Sequence, residues 1–358
     1  MATYRRDCEL MPKQNNSDPV GSTALITGGT GSFGKTMVAH LLSQGYGEIR
    51  IFSRDECKQE QMRVTMNDPR LKFYIGDVRD PHGIRRAMRG VDFVFHAAAL
   101  KQVPSCEFFP MQAVQTNING SYNVVDAAVT EGVSCVVALG TDKAVYPVNA
   151  MGMTKALMEK TVQSFARASE FSETRVCSVR YGNVMYSRGS VIPLFIGQIL
   201  AGKPVTITAP EMTRFLLPLS ESVRLVEFAF NNAVSGDIFI KKAPASTVQD
   251  LALALFELLG REPNVNIIGI RHGEKIHETL ATQAEIARSE DMGDFLRISM
   301  DDRGLNYGKY FVEGQQGLDA SVDYDSQNTT QLDVNGVKDL LLTLPEVQDV
   351  LKENGLPS

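Results

Sequence analysis

From residue 23 onward, short apolar runs alternate with longer stretches whose apolar positions recur at helical spacing. The runs at 24–27, 49–52, 73–76, 93–97, 136–139 and 176–180 are apolar almost throughout and too short for helices. That is the pattern of strands buried on both faces. Between them, 33–43, 58–66, 83–88, 111–130 and 150–168 have the length and spacing of amphipathic helices. Strands joined by helical crossovers run parallel, with helices packed on both faces of the sheet. The expected fold class is therefore α/β, a doubly wound parallel sheet of the Rossmann kind.

After residue 180 the rhythm loosens. A helix is expected at 191–200, a strand at 205–208, an irregular stretch to 218, a helix at 221–231 and a strand at 237–241. Beyond these lie a helix at 248–259, a strand at 265–270, a polar and aperiodic tail over 301–330 and a short helix at 337–342. The expected organisation is a disordered leader over 1–20 and a main domain over 21–190, to which 219–242 returns. A smaller C-terminal α/β substrate lobe with its tail takes 191–218 and 243–358.

Composition narrows the classes of function. Thirty-six Lys and Arg against 42 Asp and Glu leave a net charge of −6, which disfavours a nucleic-acid binder that needs a basic face. The five cysteines (Cys8, Cys57, Cys106, Cys135, Cys177) are scattered, without Cys-x-x-Cys spacing, and suit a reducing cytoplasm. His272 and His277 are the only close histidines, and their spacing puts them on different faces of a helix, so no metal site is expected. No apolar run of membrane-spanning length and no signal-peptide core is present, so no membrane insertion is expected.

The first candidate chemistry follows the first strand. Thr27-Gly28-Gly29-Thr30-Gly31-Ser32-Phe33-Gly34 opens the first helix. Small residues in a strand–turn–helix let the backbone approach a pyrophosphate whose charge the helix N-terminus favours. Gly28, Thr30, Gly31, Ser32, Phe33 and Gly34 are thus expected to hold a dinucleotide. The second strand ends in Ser53-Arg54-Asp55, without an acid where NAD would need one for its ribose hydroxyls. A serine and a guanidinium there suit a 2′-phosphate, so NADP is preferred over NAD. The alternative is a solvated Arg54 beside an Asp55 that caps the next helix. Asp77 and Val78, ending the third strand, are placed to meet adenine. Ala97, Ala98 and Ala99, ending the fourth, leave room for the cofactor.

The second candidate lies at the end of the fifth strand, in Leu139-Gly140-Thr141-Asp142-Lys143, followed by Met151-Gly152-Met153-Thr154-Lys155. An acid, a base and a hydroxyl side by side at the carboxyl edge of an open sheet stand where such sheets bind ligands. The bland alternatives are a strand-end cap for Thr141 and Asp142 and a solvated Lys143.

Together with Gly76-Asp77-Val78-Arg79-Asp80, His96-Ala97-Ala98-Ala99-Leu100-Lys101-Gln102-Val103-Pro104, Arg180-Tyr181-Gly182-Asn183-Val184 and Arg271-His272-Gly273-Glu274-Lys275, these segments resemble the extended short-chain dehydrogenase/reductases. Within them the chain is similar to the capsule-type UDP-N-acetylglucosamine 4,6-dehydratase/5-epimerases. The second half of the mid-chain segment resembles the Tyr-x-x-x-Lys signature, with Met151 at the tyrosine position, a replacement familiar in this subfamily. The resemblance implies a UDP-sugar substrate, a recycled bound NADP and a homo-oligomer, dimer or hexamer. It implies oxidation at C4, loss of the C6 hydroxyl as water and inversion at C5. Lys143 is then expected as the C5 base, made neutral by nearby Lys155, by the nicotinamide cation and by burial. Asp142 is the acid for the departing hydroxyl, Thr141 a partner of the C4 hydroxyl, and Lys155 the holder of the nicotinamide ribose. With no phenol at Met151, Asp142 or Lys143 is expected to deprotonate the C4 hydroxyl, with Tyr146 as the alternative. Substrate contacts implied by the resemblance are Asn183 on the diphosphate or sugar, Arg214 and Arg271 on the diphosphate, Glu274 on the ribose and Lys101 at the sugar pocket. For each, an ordinary surface or ion-paired residue is the alternative. Rival activities are a retaining 4,6-dehydratase, a UDP-sugar 4-epimerase and a non-catalytic dinucleotide-binding regulator.

Overall fold

The structure is a computed structural model that describes residues 20–168, 173–187, 189–301 and 322–357. In chain order its first half comprises β1 (Thr23–Thr27), α1 (Ser32–Ser43), β2 (Glu48–Ser53), α2 (Glu56–Met66), β3 (Leu71–Ile75), α3 (Pro81–Met88) and β4 (Phe93–His96). There follow α4 (Val103–Phe108), α5 (Pro110–Ala113), a π-helical turn (Val114–Asn119), α6 (Gly120–Thr130), β5 (Cys135–Leu139), α7 (Ala150–Ala168) and β6 (Arg175–Arg180). The second half holds α8 (Val191–Leu200), β7 (Val205–Ile207), β8 (Thr213–Phe215), α9 (Leu219–Asn232), β9 (Ile238–Lys241), β10 (Ala245–Thr247) and α10 (Val248–Leu258). Then come β11 (Val265–Ile267), β12 (Thr279–Ala281), α11 (Gln283–Ile286), β13 (Ser289–Met292), β14 (Phe295–Ile298), β15 (Tyr324–Asp325) and the helices Val334–Leu342 and Pro345–Glu353.

The main sheet has nine strands in the order β13-β14-β9-β6-β5-β4-β1-β2-β3. β1 pairs with both β2 and β4 in parallel, so the strand order reverses there and opens a crevice at the carboxyl edge. β4 and β5 are buried at every position, which is why their sequences read as unbroken apolar runs. Side chains alternate between two cores. Ile26, Phe95, Val137 and Val179 pack with α1 and α9 on one face. Leu25, Val94, Val136 and Val176 pack with α3, α6 and α7 on the other. The doubly wound arrangement expected from the alternation is the one observed.

β9 lies parallel to β6 within this sheet. A separate core under the C-terminal half joins α8, α10 and the last two helices through Phe195, Leu251, Leu255, Leu341 and Leu351. Three features depart from expectation. Residues 111–130 are not one helix, because α5 passes through the π-helical turn before α6 begins. The hairpin β13–β14, which lies in the stretch expected to belong to the smaller lobe, extends the main sheet through β9 instead. Its β13 is largely polar and edge-exposed, so no apolar alternation announces it. Val20, inside the expected leader, bridges Tyr46; the rest of that leader and residues 302–321 of the polar tail lie outside the described residues.

Candidate functional site

The glycine-rich turn is tight. Gly28 has φ +70°, and a Cβ there would lie 2.9 Å from the Ala98 amide nitrogen. A Cβ on Gly34 would fall 2.4 Å from Gly29 Cα. Only glycine fits both places, so β1, α1 and the end of β4 converge on backbone alone. Gly31 precedes α1 with no side chain capping it, so the N-terminus of α1 faces the turn, where an anion is favoured. Thr30 donates to Ser53 Oγ at 3.3 Å. Asp55 caps α2 by accepting from the Lys58 amide, while the half-exposed Arg54 sits 3.6 Å from Asp77 Oδ2. Asp77, at the end of β3, also takes Arg79 Nη2 at 2.5 Å; these arginines hold it below its ordinary value against the push of burial. Val78 is buried. Ala97 and Ala98 join the floor through Thr27, whose carbonyl and hydroxyl accept their amides. Thr27 also meets the buried His96, which spans to Ser121. Burial brings that imidazole down to about 3, so it is a neutral brace. These residues form a cradle that suits a dinucleotide.

At the end of β5 the chain turns into a short 3-10 segment, Asp142–Ala144, headed by Thr141. Thr141 Oγ1 donates to Asp142 Oδ1 at 2.8 Å, and Lys143 Nζ reaches the same oxygen at 3.1 Å. Asp142 is fully buried, and its Oδ2 has no partner among the described residues. Burial pushes its carboxyl above the ordinary range, beyond what Lys143 restores. Lys155 enters from α7 and donates to the Leu139 carbonyl at 2.7 Å; burial lowers its ammonium to about 8. Gly152 allows this approach, since a Cβ there would stand 2.2 Å from the Lys143 carbonyl oxygen. Met151 is buried against Cys106 and Ala113. Tyr146 is half-exposed at φ +45° and donates to Asp323 at 3.3 Å. Asn117 braces this edge, holding both backbone groups of Leu100 and the Thr154 hydroxyl.

Lys143 requires a correction. A neutral amine favoured by burial, by Lys155 and by the nicotinamide cation is the expectation; the structure sets the Glu278 carboxylate 3.3 Å from Nζ as well. Burial disfavours the ammonium, but Asp142 and Glu278 outweigh it and raise the pKa above its ordinary value. At rest Lys143 is a cation.

Of the five residues expected at the substrate, Arg214 stands beside Lys143 across Glu278. Lys101 lies in the exposed stretch between β4 and α4. Asn183 has a buried side-chain oxygen without a partner among the described residues. The Arg214 guanidinium donates to the carbonyls of Thr213, Lys275 and Ile276, so it fastens the segment after β11 to β8 more than it presents a free fork to phosphate. Arg271, two-thirds exposed, pairs with Glu274 at 2.6 Å.

Glu278 is missed by sequence reasoning, although it stands three residues after the quoted Arg271–Lys275 segment. A single buried carboxylate in an irregular stretch carries no periodic signal. Arg180, quoted in a sequence motif without a role, ends β6 and is buried between Glu159 of α7 and Glu285 of α11 at 2.8 and 2.9 Å. A cavity of about 710 Å³ between α9, the end of β9 and the last helices contains none of the Thr141–Lys155 residues. Among the described residues no metal-binding cluster occurs, and no helix is long and apolar enough to cross a membrane.

Residues 24–300 match the polysaccharide biosynthesis protein family, and residues 301–348 match its C-terminal family. The chain belongs to this family. It is an extended short-chain dehydrogenase/reductase of the polysaccharide-biosynthesis type. Proteins named UDP-glucose 4-epimerase from Rickettsia canadensis and Rickettsia conorii are each 55% identical to it over 93% of this chain and 99% of theirs. The solved structure of Pen from Bacillus thuringiensis is 33% identical, with a TM-score of 0.83 over 91% of this chain and 100% of that one. DesIV, a dTDP-glucose 4,6-dehydratase from Streptomyces venezuelae, shares the fold at 23% identity and a TM-score of 0.65, over 71% of this chain and 86% of that one.

Proposed function

We propose that this family member acts on UDP-sugars as a 4,6-dehydratase, converting UDP-N-acetylglucosamine to a 4-keto-6-deoxy product with inversion at C5. The observation that carries this reading is the pairing of buried Asp142 with part-buried Lys143 at the carboxyl end of β5, beside a tyrosine position filled by the packed Met151. A 4-epimerase moves hydride at C4 alone and has no use for an acid and a base aimed at C5 and C6.

When bound, the nicotinamide supplies reversible hydride exchange with the sugar, so the cofactor is unchanged after each turnover. The chain supplies the protons. Lys143 and Asp142 share a hydrogen bond, and passage of one proton from Nζ to Oδ1 makes an amine and a carboxylic acid together. The C4 hydroxyl proton is released to solvent as C4 is oxidised. The amine takes the C5 proton, and the acid protonates the C6 hydroxyl, which leaves as water. A solvent proton returns to C5 on the opposite face. A raised Asp142 pKa suits the donor. Thr141 fixes the carboxyl's orientation, and Lys155 stands where the nicotinamide ribose would lie.

NADP is the proposed cofactor, on the strength of Ser53 and Arg54 at the end of β2. Arg54→Ala is expected to weaken NADP binding by about 10–100-fold, the worth of a charge-assisted hydrogen bond, and to change NAD binding little. Titration with each dinucleotide checks this; equal losses would favour NAD.

The name borne by the Rickettsia relatives supports a second reading, a UDP-sugar 4-epimerase. Proton NMR of UDP-N-acetylglucosamine with the enzyme in D₂O separates the two. Dehydration with inversion gives a C6 methyl signal, deuterium at C5 and couplings of the L-configured ring. A methyl on an unchanged D-ring means a retaining dehydratase, and a galacto product without a methyl means the epimerase.

A further inference from the structure

Glu278 is 3% exposed in its side chain and faces three cations: Lys143 at 3.3 Å, Lys275 at 3.2 Å and Arg214 at 3.9 Å. Its backbone is fixed from both directions, because its amide donates to Ser326 Oγ and its carbonyl accepts the Ser326 amide. Lys275 is held in turn by the Val145 carbonyl, in the loop that follows the Asp142–Lys143 turn. The segment after β11 therefore delivers a rigid carboxylate to the face of Lys143 that Asp142 does not occupy.

We propose that Glu278 is a positioning residue for the acid–base pair, holding the Lys143 amine against Asp142 and setting which of the two carries the shared proton. This rests on the reading of Asp142 and Lys143 as acid and base. The charged groups facing Lys143 are Asp142 on its own turn, Glu278 on the crossing segment and Arg214 on β8; the carboxylates favour the ammonium and Arg214 opposes it. Lys275 acts through Glu278. It shares that carboxylate's charge, so Glu278 holds the proton on Lys143 without locking it there.

The test is the pH dependence of Lys143 acylation by acetic anhydride in the full-length holoenzyme, followed by mass spectrometry, since only the neutral amine reacts. Glu278→Gln removes a negative neighbour and is expected to move the Lys143 midpoint down by about one unit or more, a tenfold faster labelling at a fixed pH below it. Lys275→Met removes a competitor for Glu278 and is expected to move the midpoint up. Opposite shifts are not produced by loosened packing, which exposes the amine in both variants. If Glu278→Gln does not fold, the direction of the Lys275→Met shift decides. An unmoved midpoint in either folded variant, or shifts of the same sign, would overturn the proposal. Labelling does not depend on the reaction catalysed. A wild type that forms no dehydrated sugar while these shifts are present would therefore sink the functional reading and leave the electrostatic coupling standing.

Discussion

Asp142→Asn is expected to slow dehydration by about 10²–10⁴-fold in kcat, the usual worth of a positioned acid, with cofactor affinity close to wild type. The substitution keeps the shape of the side chain and lets the Thr141 hydroxyl still donate to Oδ1. It removes the carboxyl beside Lys143 whose pKa burial raises above its ordinary value. It also deprives the Lys143 ammonium of its nearer carboxylate, so the amine can no longer be generated by passing a proton 3.1 Å to Oδ1. Steady-state turnover measured alongside NADP titration separates the two effects of interest. A fall in kcat alone supports the acid role. Unchanged turnover would remove Asp142 from the chemistry, and parallel loss of NADP binding would mean that the turn after β5 had collapsed.

Arg180→Met is expected to destabilise the protein by about 3–5 kcal/mol, because it leaves two buried carboxylates facing each other without a cation. Arg180 makes bonds to Glu159 with Nε and Nη2, to Glu285 with Nη1 and Nη2, and to the Leu280 carbonyl with Nη1. It thus ties β6 and α7 to β12 and α11. Urea unfolding with a free slope measures the loss. The same substitution is expected to reach the site: Glu159 lies one helical turn beyond Lys155 and favours its ammonium, so removing the guanidinium that neutralises Glu159 raises the Lys155 pKa. A variant of wild-type stability would show that the two carboxylates are protonated or solvated without Arg180.

The dinucleotide end of the molecule was legible in the chain because its signals are local. Gly28 needs its positive φ and Gly34 must clear Gly29 a few residues back, and Asp55 caps α2 from its own turn. The central strands were legible because β4 and β5 are buried on both faces, which demands apolar residues at every position. Thr141, Asp142 and Lys143 could be picked out for the same reason: they end such a strand. The hairpin β13–β14 could not, since an edge strand tolerates polar residues on both sides. Nor could the fixed guanidinium of Arg214, whose acceptors are backbone carbonyls of a distant segment.

Backbone periodicity is short-range, so the order of residues was sufficient for the parallel sheet and for the glycine-rich turn after β1. Protonation is not short-range. The charge of Lys143 depends on Glu278, which lies far along the chain yet comes within 3.3 Å, and the burial of Arg180 depends on carboxylates from two separate helices. Coulombic interactions act through space and strengthen with burial, whereas sequence spacing says nothing of which distant charges will share a site. The fold therefore determines whether Lys143 is an amine or an ammonium at rest.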